Sequence, residues 1–215
     1  MIHKLLKRQF GRRGAFALEF ALVAPVFLVL LFVVFEVSYD EFMQEVLDNA
    51  LQSSARQVQI GNTQTATSGT FVQNYFCPYD DGLINCNSLY VRIQSVSFGS
   101  GSCSNLDFYD ATVPGGAPSS GSVLQLGAFY NGAGNEGNGA NSNMSPCATP
   151  NSSSGYCNAG SQEFILMTAI YVAPSFLGGL LPYHFTYGGS YVRPIYSSAA
   201  FQTEPFASTS PLNPC

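Results

Sequence analysis

One apolar run, with a single acid near its start, limits the folds open to this chain more than any other feature. The run extends from Ala15 to Phe35, and about 21 residues are enough to cross the roughly 30 Å of bilayer hydrocarbon as one helix. Glu19 lies inside the run, five residues after Gly14. A charged acid well inside a membrane helix costs on the order of 3 kcal/mol. Glu19 is therefore predicted to pair with a nearby amine, unless it lies close enough to the membrane surface to stay hydrated.

The charges on either side of the run predict its orientation. Everything after Gly14 carries three arginines against 13 acids, whereas the first 14 residues carry no acid and five cations, Lys4, Lys7, Arg8, Arg12 and Arg13. Basic residues beside a spanning segment favour the cytoplasmic side. Residues 1–14 are thus predicted to be a basic cytoplasmic leader and residues 15–36 a single transmembrane helix. A cleaved secretory signal is the alternative, but its apolar core is usually about 7 to 15 residues long and is followed by a small-x-small site, which the residues after Phe35 do not offer.

The helix is predicted to continue outside the membrane as an amphipathic extension over residues 37–61. Apolar side chains recur there at four-residue spacing, and acids and amides occupy the other side; the spaced residues are Tyr39, Met43, Leu47 and Leu51. Such a stripe packs either against the protein's own domain or against other subunits. Gly61 is predicted to end the helix in the left-handed conformation, and Pro25 is predicted to kink its membrane part.

The remaining chain is predicted to form an α+β domain over residues 71–215, with an antiparallel sheet packed on the exposed half of the helix. Its strand candidates are Leu89 to Phe98, which alternates like a half-buried strand, Phe164 to Val172, and Tyr191 to Phe201, where Pro194 indicates an edge strand or a bulge. Asn62 to Gly69 is interpreted as a linker. The Gly-rich and Asn-rich stretches Pro114 to Gly121 and Asn131 to Asn143 are interpreted as surface loops.

All six cysteines follow the apolar run, and an even number on the exported side favours disulfides in an oxidising compartment. They are Cys77, Cys86, Cys103, Cys147, Cys157 and Cys215. Sequence alone leaves many pairings open. Short separations favour Cys77 with Cys86 and Cys147 with Cys157, which would leave Cys103 for Cys215.

Few residues suggest catalysis, a cofactor or a metal. His184 is the sole histidine after the apolar run, and no motif pairs it with a nucleophile. The acids Asp80, Asp81, Asp107 and Asp110 do not fit a calcium-binding loop and are interpreted as solvated turn residues. No C-x-x-C motif supports zinc, and no basic patch supports nucleic-acid binding. We therefore expect no enzyme activity, no cofactor, no metal and no nucleic-acid partner.

The residues around Gly14 resemble the processing site of type IV pilin-like subunits. The segment Gly14-Ala15-Phe16-Ala17-Leu18-Glu19-Phe20 resembles the tight-adherence (Flp, type IVc) branch, and its continuation to Pro25 is similar to the TadE-like pseudopilins. The C-terminal stretch Ser197 to Phe206 resembles that family's closing strand, which finishes in an acid-proline-aromatic triplet.

The resemblance implies a pseudopilin of the bacterial inner membrane with a periplasmic domain, which acts as a minor subunit or assembly component of an adhesive pilus. It implies that a prepilin peptidase cuts between Gly14 and Ala15, and that Glu19 and Phe20 take part in assembly with other pilins or pseudopilins. Cleavage would free an α-amine on Ala15 that Glu19 of a neighbouring subunit can neutralise. The main alternative is a membrane-anchored binding or adhesin domain that never enters a pilus. An anchored hydrolase that uses His184 and a serine is the second alternative.

Overall fold

A computed structural model describes residues 2–80, 82–95, 124, 126, 129–135, 137, 156–180 and 185–207. The side chains of residues 2–13, 15 and 180 lie outside this description, as do the predicted loop 114–121 and His184. The chain forms two compact units, Met1–Tyr39 and Asp40–Cys215.

One long helix, α1, extends over Ile2–Gln59, with Pro25 inside it. It ends as the sequence predicts, because Gly61 has a φ of +80°. The Asn62 amide donates to the Gln57 carbonyl at 3.0 Å and the Gly61 amide donates to the Val58 carbonyl at 3.1 Å. These two bonds form the Schellman pattern that satisfies the last carbonyls of a helix. A kink at Pro25 stays a prediction.

The second unit contains one five-stranded sheet in the order β2-β1-β3-β5-β4, and every pairing in it is antiparallel. The strands are β1 (Leu89–Ser95), β2 (Tyr130–Asn131), β3 (Phe164–Pro174), β4 (Phe185–Tyr187) and β5 (Ser190–Gln202). A short helix α2 (Ser68–Phe71) precedes a π turn over Val72–Phe76 and a 3₁₀ turn over Cys77–Tyr79, and a second 3₁₀ turn spans Gly178–Leu180. The predicted α+β class, a long apolar helix followed by an antiparallel sheet, is confirmed.

The part of α1 within the second unit lies along β5. Near its start, Asp40 forms an ion pair with Arg193 at 2.5 Å and Gln44 donates to the Tyr196 carbonyl at 2.6 Å. The apolar stripe of the same segment is buried at Met43, Leu47, Ala50 and Leu51. The stripe is therefore covered by the protein's own chain, which was the first of its two interpretations.

The edge strand or bulge predicted from Pro194 is wrong for β5 as a whole, because β5 lies between β3 and β4, but Pro194 itself lies beyond the pairing with β4. β4 pairs with β5 only from Ser190 to Val192. Within the described sheet, the rest of β5 is therefore paired on one side only, with β3. The β3–β5 register is continuous from Phe164 opposite Gln202 to Pro174 opposite Val192, and there is no bulge. Proline fits here because it has no amide to contribute to a ladder.

The linker predicted over Asn62 to Gly69 is wrong. Thr63 and Gln64 are 2% and 5% exposed, so this turn belongs to the core of the second unit. The Asn158 side-chain amide donates to the Thr63 carbonyl at 2.6 Å and to the Ala66 carbonyl at 3.0 Å. Because a distant side chain satisfies these carbonyls, the polar turn is buried without losing its hydrogen bonds.

The half-buried character predicted for β1 is also wrong, since both of its faces are covered. Tyr90 packs in a cluster with Leu124, Leu126 and Phe129 on the face that was expected to be solvated. On the same face, the Arg92 guanidinium lies 4.5 Å from the centre of the Phe129 ring. Burial lowers the pKa of Arg92 to about 10.

Asn131 corrects one loop prediction. It belongs to β2 and is 7% exposed, so the predicted surface loop of residues 131–143 does not begin there. Its side-chain oxygen accepts from the amides of Ala133 and Asn135. Asparagine is favoured in turns, and the Asn131 side chain does organise the turn that follows it. The backbone of Asn131, however, pairs with β1.

We predict that Tyr156→Phe flattens the alkaline limb of the stability profile. Burial raises the pKa of Tyr156 above its ordinary value of 10.0. Above about pH 10 the unfolded chain releases a proton from this tyrosine that the folded chain retains, so the free energy of unfolding falls as pH rises. At about pH 11 the loss is about 1.4 kcal/mol. Urea unfolding of the detergent-solubilised chain from about pH 8 to about pH 11 measures this. Equal slopes for the wild type and Tyr156→Phe would show that Tyr156 ionises normally.

Candidate functional site

The apolar run is exposed around the first unit. Phe16 and Phe20 are 71% and 74% exposed, and most large apolar side chains between them and Phe35 are also exposed. The helix from Phe16 onward is long and apolar enough to cross a membrane, with a mean hydropathy of 2.8 in its most apolar window. An exposed apolar surface of this size marks a site for lipid or for other apolar helices.

The four residues predicted to matter for processing and assembly, Gly14, Ala15, Glu19 and Phe20, lie at the start of this surface, and the side chain of Ala15 is outside the described part of the chain. Gly14 is helical and exposed, and among the described atoms beyond its neighbours and its own helix backbone, none lies within 4 Å of where a Cβ on it would be. Glu19 is exposed about 8 Å further along the helix axis, at 1.5 Å per residue. Phe20 follows it. The chain itself therefore leaves both the glycine and the acid accessible to another molecule.

Sequence reasoning assigned no role to Glu36, yet the structure buries this acid at 3% exposed. It directly follows the apolar run, and it precedes Met43 by seven residues, which is two helical turns. That spacing places Glu36 on the helix face of the buried stripe and was the available signal.

The cysteines of the second unit contribute cross-links. Cys77 and Cys86 form a disulfide with their Cα atoms 6.2 Å apart, which confirms this pairing. Cys157 is also disulfide-bonded. Cys103, Cys147 and Cys215 lie outside the described residues too, and the other predicted pairings stay predictions.

Cys77, Cys86 and Asp80 are close enough together to suggest a metal site, but the chemistry does not fit one. Zinc binds cysteine as the thiolate, and both of these sulfurs are committed to the disulfide. Asp80 is 2% exposed and its carboxylate accepts from the Gly82 amide at 2.7 Å, which contradicts its interpretation as a solvated turn acid. This buried acid stabilises an exposed turn at Gly82 and Leu83. Asp81, Asp107 and Asp110 lie outside the described residues.

A cavity of about 300 Å³ lies between α1 and β5 in the second unit. Its polar lining comes from Asp40, Glu41 and Gln44 on the helix and from Arg193 on the strand. Asp40 is paired with Arg193, and Gln44 with the Tyr196 carbonyl. Among the described residues that line it, none supplies an imidazole or a thiol.

The triplet Glu204-Pro205-Phe206 fastens the end of α1 to the end of the sheet. Glu204 forms an ion pair with Arg56 at 2.6 Å, and its amide donates to the Gln59 carbonyl at 2.9 Å. The Phe206 ring lies against Gly61, where a Cβ would come within 2.8 Å of it. The triplet therefore completes the helix end as well as closing the sheet.

Comparison with protein families identifies the helix that carries these residues. The model of the family described as TadE-like protein matches residues 14–56. This segment is TadE-like. The match begins at Gly14 and includes Glu19, the whole apolar run and the helix as far as Arg56. Neither the curated proteins nor the solved structures contain a match to the chain. The TadE-like segment, residues 14–56, thus covers most of α1 and none of the sheet.

Proposed function

We propose that this chain is a minor pseudopilin or assembly component of an adhesive tight-adherence pilus, and that a prepilin peptidase cuts it after Gly14. The observation that carries the proposal is the TadE-like match, because it begins at Gly14 and extends through the apolar run. In this proposal the chain is a peptidase substrate and has no catalysis of its own. It lies in the bacterial inner membrane with its N-terminus in the cytoplasm and its second unit in the periplasm.

Cleavage would change the charge at the start of the helix. It would remove all five leading cations and leave a free α-amine on Ala15 as the new cation at this end. Glu19 is the first acid after that amine. A carboxylate and an amine at membrane depth stabilise each other when they meet, since each alone is costly there. Pairing between neighbouring subunits would therefore favour assembly of processed chains over unprocessed ones.

The exposed apolar surface fits the same account. Before assembly the bilayer covers it, and in an assembled complex neighbouring helices cover it with side chains of similar polarity. Because lipid and apolar helices are similar solvents for such a surface, apolar burial alone gives little preference for the complex. The charge pair at Glu19 would supply the preference.

Glu19→Gln tests the charge pairing. The substitution keeps the size of the side chain and removes its charge, and we expect a loss of co-purification with partner pilins. If the pair contributes about 3 kcal/mol, the affinity falls on the order of a hundredfold. Quantitative pull-down from membranes measures it. Glu45→Gln is the matched control, because Glu45 is an exposed acid on the same helix outside the apolar run. Equal recovery of partners with Glu19→Gln and the wild type would refute charge pairing.

A further inference from the structure

Two exposed aromatic side chains form a corner at one end of the second unit. Phe176 is 71% exposed and Tyr191 is 48% exposed. The Ser175 amide donates to the Tyr191 carbonyl at 3.2 Å, and the Tyr191 ring lies 3.0 Å from where a Cβ on Gly178 would be. The ring is thus held against the turn that carries Phe176. We call Phe176, Tyr191 and the Ser175–Gly179 turn the aromatic corner.

Contacts between α1 and β5 show at which end this corner lies. At one end of the second unit, Asp40 pairs with Arg193. At the other end, Gln59 donates to the Gln202 carbonyl at 3.3 Å. Asp40 and Gln59 are 19 residues apart in the helix, and Arg193 and Gln202 are nine residues apart in the strand. Both intervals span about 30 Å, so the two elements run side by side in the same direction. Tyr191 is two residues before Arg193 in β5. The aromatic corner therefore lies at the Asp40 end.

The Asp40 end is also where the chain enters from the apolar run. Asp40 follows Phe35 by five residues, which is about 8 Å of helix. Chain connectivity alone therefore limits the distance between Asp40 and any membrane that the run crosses. The opposite end, with Gln59 and Phe164, is about 30 Å further along the sheet.

We propose that the aromatic corner inserts into the boundary between lipid headgroups and acyl chains, next to the point where the helix leaves the membrane. The proposal rests on the membrane-spanning helix of the proposed function. Aromatic rings are favoured at this depth, and the tyrosine hydroxyl can face water while its ring contacts lipid. The charges at this end suit a zwitterionic headgroup better than an anionic one, because Arg193 and Asp40 neutralise each other and the adjoining exposed Glu41 repels anionic lipid. The contact would give the second unit a second attachment to the bilayer.

The chain contains no tryptophan, so one introduced tryptophan reports on one place only. Three full-length variants are reconstituted in phosphatidylcholine vesicles with brominated acyl chains: Phe176→Trp at the corner, Phe164→Trp at the far end of β3, and Phe27→Trp inside the apolar run. Phe164 is a matched control because it is also exposed, at 45%. Lipid-borne bromine and the water-soluble quencher acrylamide are compared for each variant.

We expect Phe176→Trp to lose most of its emission to bromines near the headgroups and less to bromines near the chain ends. Phe164→Trp should be quenched by acrylamide alone. Phe27→Trp should be quenched by bromines near the ends of the acyl chains. If Phe27→Trp is quenched by lipid but Phe176→Trp responds only to acrylamide, the inference is overturned while the membrane helix stands. If neither responds to lipid, the membrane position of the proposed function fails as well. Shielding of Phe176→Trp from both quenchers would show that another protein chain covers the corner, which also overturns the inference.

Discussion

Gly14→Trp is expected to abolish processing, so that the chain accumulates with all 14 leading residues attached. A peptidase that cuts after a small residue must bring the backbone of Gly14 close to its catalytic groups, and an indole at this position blocks that approach. The described structure offers no competing explanation, because no described atom beyond the adjacent residues and the backbone of the same helix lies within 4 Å of a Cβ at Gly14. A folding defect is therefore not expected. Mass spectrometry of the membrane-extracted protein measures the size.

Gly11→Trp is the matched control for this prediction. Gly11 lies three residues before Gly14 in the basic leader, so the same bulk is added on the same side of the proposed scissile bond. We expect Gly11→Trp to be processed to the wild-type mature mass. A mature-sized product from Gly14→Trp would mean that the cut is made elsewhere.

Gly61→Ala is expected to destabilise the second unit by about 2 to 5 kcal/mol. One part of the loss is the left-handed backbone, with a φ of +80°, which costs a residue with a Cβ about 1 to 2 kcal/mol. The other part is the Phe206 ring, which lies 2.8 Å from the new Cβ and must move. Such overpacking costs about 1 to 3 kcal/mol. Urea unfolding of the detergent-solubilised chain, followed by near-ultraviolet circular dichroism, measures the loss.

Gly82→Ala separates these two parts. Gly82 has a φ of +73°, and nothing lies within 4 Å of its Cβ position, so this substitution carries the backbone cost alone. We expect Gly61→Ala to be the more destabilising of the two, and Phe206→Ala to relieve part of its loss in a double variant. Equal losses at Gly61 and Gly82 would show that Phe206 does not close the helix end.

Features with local signals were predictable from the sequence. The apolar run, the stripe of α1 and the helix end at Gly61 each follow from periodicity or from one glycine within a short window. The Cys77–Cys86 disulfide followed from short separation alone. The missing amide of Pro194 indicated only that it lies where pairing on one side ends, beyond β4.

Features that depend on distant segments were not predictable. The second face of β1 is covered by Leu124, Leu126 and Phe129, more than 25 residues further along the chain, and nothing within β1 indicates them. The burial of Thr63 and Gln64 depends on residues 158–159, where Asn158 and the Ala159 carbonyl supply hydrogen bonds. In each case tertiary contacts override a local pattern that reads as solvent-exposed.

The candidate site shows the same division. Gly14 and Glu19 were found from their spacing and from the polarity around them, because a membrane-length run makes a lone acid conspicuous. Glu36 was not found, since an acid at the end of an apolar run is expected to face water. Its burial depends on the residues that pack against the helix. Sequence spacing indicates only which face of the helix Glu36 occupies.

N-terminal sequencing of the protein extracted from membranes and from assembled pili tests the central claim most directly. The account predicts that the mature chain begins at Ala15 in the membrane fraction, and also in the pili wherever they contain it, with its α-amine free to meet Glu19. A chain that begins at Met1 or Ile2 in functional pili would contradict it.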